Sequence, residues 1–117
     1  MDLTSLDFQQ ARIKLVLFKS RLRSVIYGVR TPEPDLLSRQ HNPLGEWLTS
    51  IARPRYGHHP EIAEIEHTLQ LMLSVGQELI SQYQRGQIEE ARTGLSRIDA
   101  HADQITSLLQ QLENRST

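Results

Sequence analysis

The residues of this chain with the widest chemical range are its five histidines, His41, His58, His59, His67 and His101. An imidazole can bind a metal, move a proton near neutral pH or accept a phosphoryl group. The 117 residues include no cysteine, which rules out disulfides, thiol nucleophiles, thiol redox sensing and any zinc site with a thiolate ligand. His58 and His59 are adjacent and precede Pro60, so they read as an exposed turn whose rings point apart. Together with His41 or His101 they offer, as an alternative, an imidazole-only zinc site. Glu64-Ile65-Glu66-His67 holds one Glu-x-x-His, an element that di-iron bundles use twice, and no second copy occurs. There is no glycine-rich phosphate loop, no Ser/His/Asp set and no histidine pair of the metalloprotease kind. The expectation is a protein that is not an enzyme and takes no cofactor.

The elements that must position these residues are helices. Phe8, Ala11, Leu15, Phe18, Leu22 and Val25 recur at alternating steps of three and four, the spacing of one buried helix face. Asp2 or Thr4 is placed to cap that helix, and Gly28 to end it. A second long helix starts at Pro60, a residue suited to a first turn, with Glu61 and Glu64 near the positive end of its dipole. Ile62, Ile65, Leu69, Met72, Gly76, Leu79 and Tyr83 form its stripe. Leu71, Leu73, Val75 and Ile80 widen it to half the cylinder, which predicts contact with more than one neighbour. The last helix carries Ile88, Ala91, Leu95, Ile98, Ala102, Ile105, Leu109 and Leu112 in the same rhythm and is predicted to run unbroken for about 25 residues. Between these two helices Gln84-Arg85-Gly86-Gln87 is long enough only for a tight reversal hinged on Gly86.

The stretch between the first and the Pro60 helix is less regular. Thr31-Pro32-Glu33-Pro34-Asp35 is a turn or extended segment. Asn42-Pro43-Leu44-Gly45-Glu46-Trp47-Leu48 reads as an asparagine cap, a proline at the first position and a short helix that carries Trp47 inward. Residues 53–60 are expected to form a loop. No alternating strand pattern is present. The fold class expected is all-α: an antiparallel four-helix bundle with three long helices and one short second helix, as one domain over 1–117.

Thirteen basic and fourteen acidic residues give a net charge of −1, no footprint for a nucleic-acid backbone or an anionic membrane. Neither a leader-like N-terminus nor a membrane-length apolar run is present, and the cytoplasm is the expected location. Arg12, Lys14, Lys19, Arg21, Arg23 and Arg30 make the first helix basic; balanced by acidic residues of the later helices, they read as a solvated face.

Asp7-Phe8-Gln9-Gln10-Ala11-Arg12, Phe18-Lys19-Ser20-Arg21-Leu22-Arg23, Leu44-Gly45-Glu46-Trp47-Leu48, Pro60 with Ile65-Glu66-His67, and Gly86-Gln87-Ile88-Glu89-Glu90-Ala91 follow one another in an order and spacing that resembles the chemoreceptor zinc-binding domain. That family is a bacterial cytoplasmic four-helix module attached to chemoreceptors and diguanylate cyclases, binding zinc through three histidines and one cysteine. The resemblance places its first-helix histidine on Leu15, its cysteine on Asn42 and its i, i+4 histidine pair on His67 and Leu71. Only His67 keeps a ligand. One imidazole cannot hold zinc against water, so the resemblance implies a divergent member whose site has become ordinary core at Leu15 and Leu71 and a helix cap at Asn42.

His67 itself is expected to be partly buried beside the stripe and hydrogen-bonded to a neighbour. His67-Thr68-Leu69-Gln70 faintly resembles the active segment of histidine phosphotransfer domains, a second alternative, although Gln70 and Leu71 stand where that family has lysine and glycine. The function expected is a cytoplasmic signalling or protein-interaction module. Its partner is another protein or a second copy, a homodimer being suggested by the wide apolar face of the Pro60 helix.

Overall fold

The structure is a computed structural model and describes residues 3–116. Among these residues every regular element is helical and no strand occurs. Helix α1 spans Leu3–Ile26, α2 Pro43–Trp47, α3 Arg53–Tyr56, α4 Pro60–Gln84, α5 Ile88–Thr93 and α6 Leu95–Ser116. Of the two caps proposed for α1, Asp2 lies outside the described residues, and Thr4 stands inside the helix rather than before it.

The stripes fold as the spacing predicts. Phe8, Ala11, Leu15, Phe18, Leu22 and Val25 are all buried, as are Ile98, Ala102, Ile105, Leu109 and Leu112 of α6. On α4 the wide face is interior: Leu73, Val75 and Ile80 are buried along with the main line. This removes the feature that suggested a dimer through α4. Leu71 is the exception, 42% exposed, because it lies about 80–100° around the helix from Met72 and Leu79, just beyond the edge of the packed face.

Ion pairs tie the long helices at both ends. Arg115 near the end of α6 meets Glu61 in the first turn of α4 at 2.8 Å, and Arg97 near the start of α6 meets Glu78 toward the end of α4 at 3.1 Å. Arg12 of α1 reaches Glu113 at 2.6 Å and Lys19 reaches Asp99 at 3.1 Å. The result is a rod with principal extents of 47 × 21 × 20 Å.

Two further expectations need correction. The predicted loop at residues 53–60 is helical as far as Tyr56. A π-helical turn over Leu48–Ala52, in which the Arg53 N–H donates to the Leu48 carbonyl, joins α2 to α3. Pro54 has no N–H to give to Ser50 and its ring crowds that carbonyl; widening the preceding turn lets the helix continue past it. The last helix, predicted to be unbroken, is interrupted at Gly94, where a Cβ would sit 2.3 Å from Leu79 Cδ2. The absent side chain admits α4, and glycine holds a helix less well than any residue but proline. The reversal does hinge on Gly86, whose φ of 85° is the left-handed geometry that ends helices.

Candidate functional site

The four positions on which the resemblance places zinc ligands meet different fates. Leu15 is buried core at 3% exposure. Asn42 is fully buried and caps α2: its Oδ1 accepts from the Gly45 N–H at 2.9 Å and its Nδ2 donates to the Ser38 carbonyl. Both ends of that amide are used locally. His67, expected to be partly buried, is exposed on the outer side of α4, and Leu71 one turn later is exposed as well. Leu71 therefore does not fill a vacated metal site, and the set does not suit zinc. Among the described residues no three His, Asp or Glu side chains converge closely enough to hold a metal ion. His41 is exposed and His101 half-buried. The rings of His58 and His59, expected to diverge, lie with centroids 4.1 Å apart and planes at 38°.

A polar clasp that the sequence reading missed is built on Asp7, which is only 5% exposed. Its Oδ2 accepts from Arg55 at 2.6 Å and from the Tyr56 hydroxyl at 2.9 Å, and its backbone carbonyl accepts from Trp47 Nε1 at 3.0 Å. Phe8, the next residue, packs edge-on to Trp47 and tilted against Tyr56. Residues 47–56 are thereby held on the start of α1. Burial pushes the Tyr56 phenol above its ordinary 10.0, and the hydrogen bond and charge of Asp7 add to the rise. Asp7 in turn keeps the Arg55 guanidinium charged, first through its hydrogen bond and then through its charge. A phenol held protonated and a carboxylate held paired make a structural joint with no free nucleophile. The sequence signal was available: an acidic residue directly before the first buried aromatic of an amphipathic helix needs a partner.

The other feature not foreseen is a second apolar line on α1. Ile13 is 67% exposed, Val16 65%, and Leu6 and Leu17 38% each. At 3.6 residues per turn, Leu6, Ile13 and Leu17 fall within about 40° of one another, on the side of α1 away from its core stripe. Arg12, Lys19 and Arg23 border this line on one side, and Lys14 and Arg21 on the other. Asp7, the one acidic residue of α1 among the described residues, is buried in the clasp. Beside the line a groove of about 580 Å³ between α1 and α6 is lined by Val16, Lys19, Arg23, Asp99 and Asp103. Just beyond the helix Tyr27, 44% exposed, lies under the guanidinium groups of Arg92 at 4.5 Å and Arg23 at 5.4 Å. The basic residues, expected to be a plain solvated face, thus frame exposed apolar surface.

Comparison with models of known families, with curated proteins and with solved structures finds no match.

Proposed function

We propose that this chain is a helical protein-interaction module of the signalling kind, related to the chemoreceptor zinc-binding domain but working without zinc at that family's site. The observation that carries this reading is the exposed line of Leu6, Ile13, Val16 and Leu17 on α1. Three apolar side chains aligned on one exposed helix face, with a fourth beside them, mark a contact surface more than scattered exposed leucines do. We take the fold to be an antiparallel four-helix bundle, with α2 and α3 as the short second helix. The pairs Arg115–Glu61 and Arg97–Glu78 support opposite directions for α4 and α6, and Arg12–Glu113 with Lys19–Asp99 the same for α1 and α6. The Asn42 cap, the buried Leu15 and the exposed Leu71 support the absence of zinc at the family positions. A bacterial cytoplasmic setting is part of the same proposal.

The test is the size of the chain in native extracts of the cells that make it. The reading expects it in complexes larger than its own 13.5 kDa, and expects Ile13→Asp to release it as a monomer. A wild-type chain that runs as a free monomer, or a variant that leaves the complex unchanged, contradicts the reading.

A second reading, phosphate acceptance at His67, is favoured by the exposure of that ring beside a shallow cleft with Glu64, Thr68 and Gln104. The large exposed Leu71, where a small residue would admit a partner, counts against it. Incubation with a phosphorylated response regulator, followed by mapping of acid-labile phosphate, decides this: label on His67 that is lost in His67→Gln establishes it, and no label removes it.

A further inference from the structure

We infer that the outer face of α1 is the docking site for an acidic amphipathic helix of another protein, an inference that rests on the interaction-module reading. Leu6, Ile13 and Leu17 are spaced seven and four apart, and Val16 lies beside them. That is the spacing of a helix–helix seam, in which apolar residues recur every three to four positions with charges on both flanks. The flanking residues of α1 itself carry one sign only, Arg12, Lys14, Lys19, Arg21 and Arg23, while Asp99 and Asp103 of α6 stand beside the Val16 flank. Arg12 and Lys19 are partnered within the chain by Glu113 and Asp99. Lys14, Arg21 and Arg23 make no ion pair among the described residues, and two of them, Lys14 and Arg21, lie along the same edge.

The charges choose among occupants. A second copy pairing through α1 would bring these cations against their own kind in either helix direction, since the single acid of α1 is buried in the clasp. An anionic membrane plane would meet Asp99 and Asp103, which share the groove beside Val16. The line also lacks the tryptophan or phenylalanine that anchors an interfacial helix, and a net charge of −1 provides no long-range attraction to lipid headgroups. A helix with leucine-like residues on its seam and Glu or Asp on the edge that meets Lys14 and Arg21, with neutral residues on the edge beside Asp99 and Asp103, satisfies the apolar line and these unpaired cations at once.

The experiment uses the full chain and a fluorescent three-heptad peptide with leucine at the two seam positions, glutamate on one flank and glutamine on the other. A matched peptide with lysine in place of glutamate, vesicles of mixed phosphatidylserine and phosphatidylcholine, and sedimentation of the chain alone complete it. The expected result is binding of the acidic peptide, at least about 30-fold weaker for the lysine peptide and for Ile13→Asp, a hot-spot-sized loss. Arg21→Glu, which leaves the apolar line intact, is expected to weaken binding about 10-fold. Circular dichroism and melting of both variants should match the wild type, since each site is at least partly exposed. Equal binding of the two peptides, or no binding of either, overturns the inference. Vesicle binding without acidic-peptide binding assigns the face to a membrane, and a dimer lost in Ile13→Asp assigns it to a second copy. Either of those overturns the acidic-helix occupant while the module reading survives; a variant with no effect on native complex size overturns the module reading as well.

Discussion

Replacing Gly45 with alanine should destabilise the protein, although helix propensity alone gives the opposite sign. Gly45 sits inside α2, where a glycine-to-alanine change ordinarily gains about 1 kcal/mol. Here a Cβ would stand 2.1 Å from the Arg39 carbonyl oxygen and 3.0 Å from Asn42 Nδ2. The first of these is backbone and cannot rotate away, so residues 38–42 must retreat by roughly 1 Å, an overpacking shift. The retreat loosens the Asn42 cap on the Gly45 N–H and its bond to the Ser38 carbonyl, both of them short-range and buried or half-buried. Overpacking of this kind costs about 1–3 kcal/mol and a weakened cap about 1 more; less the propensity gain of about 1, the net loss is about 1–3 kcal/mol. With an unfolding entropy near 2.1 cal/mol/K per residue, a domain of this size loses about 4 °C per kcal/mol, so the melting temperature should fall by about 4–12 °C. Gly86→Ala is the natural comparison, since nothing lies within 4 Å of its Cβ position and only the left-handed φ of +85° resists the change. That strain is worth about 1–2 kcal/mol. Thermal unfolding followed at 222 nm measures both. A Gly45→Ala protein as stable as the wild type, or more so, would refute the close approach of residues 38–42 to α2.

Tyr56, whose phenol is raised by burial and by Asp7, is held neutral more firmly in the folded protein than in the unfolded chain. Its contribution is therefore complete below the ordinary phenol value and lost as the pH climbs through the raised one. Tyrosinate absorbance should show a phenol ionising above the ordinary range that is missing from Tyr56→Phe, and Tyr56→Phe should flatten the fall in melting temperature at alkaline pH. Leu15→Ala should cost about 2–4 kcal/mol and Leu71→Ala under about 0.5 kcal/mol in chemical denaturation, because one is core and the other is on the surface. Equal losses would contradict the placement of Leu71. A double-mutant cycle on Glu61 and Arg115 should give a coupling of about 1 kcal/mol or more, since the carboxylate is buried and the guanidinium is not; no coupling would separate the ends of α4 and α6.

The apolar spacing made the long helices and most of their buried residues legible in the sequence, because a 3.6-residue period imposes itself on any helix with one dry side. The Asn42-Pro43 start and the Gly86 reversal were legible for a similarly local reason: each depends on a few neighbouring residues and the backbone angles they allow. What escaped depends on other parts of the chain. The helical path through Pro54 rests on a π turn that no propensity scale marks. The break at Gly94 comes from Leu79 across the interface, and the burial of Asp7 from partners forty to fifty positions away. The widened stripe of α4 predicts Leu71 in the core, whereas the packed face stops one position short of it. The outer line on α1 was hidden by its own helix: with apolar residues on opposite sides, the inner stripe dominates and Leu6, Ile13 and Leu17 look incidental.

The measurement that tests the central claim most directly is site-specific photo-cross-linking in the cells that make the protein, with benzoylphenylalanine placed at position 13 on the outer face of α1 and, separately, at position 70 on the exposed side of α4. The account predicts a discrete adduct from position 13 and none from position 70. Adducts from position 70 alone, or none from position 13, would contradict it.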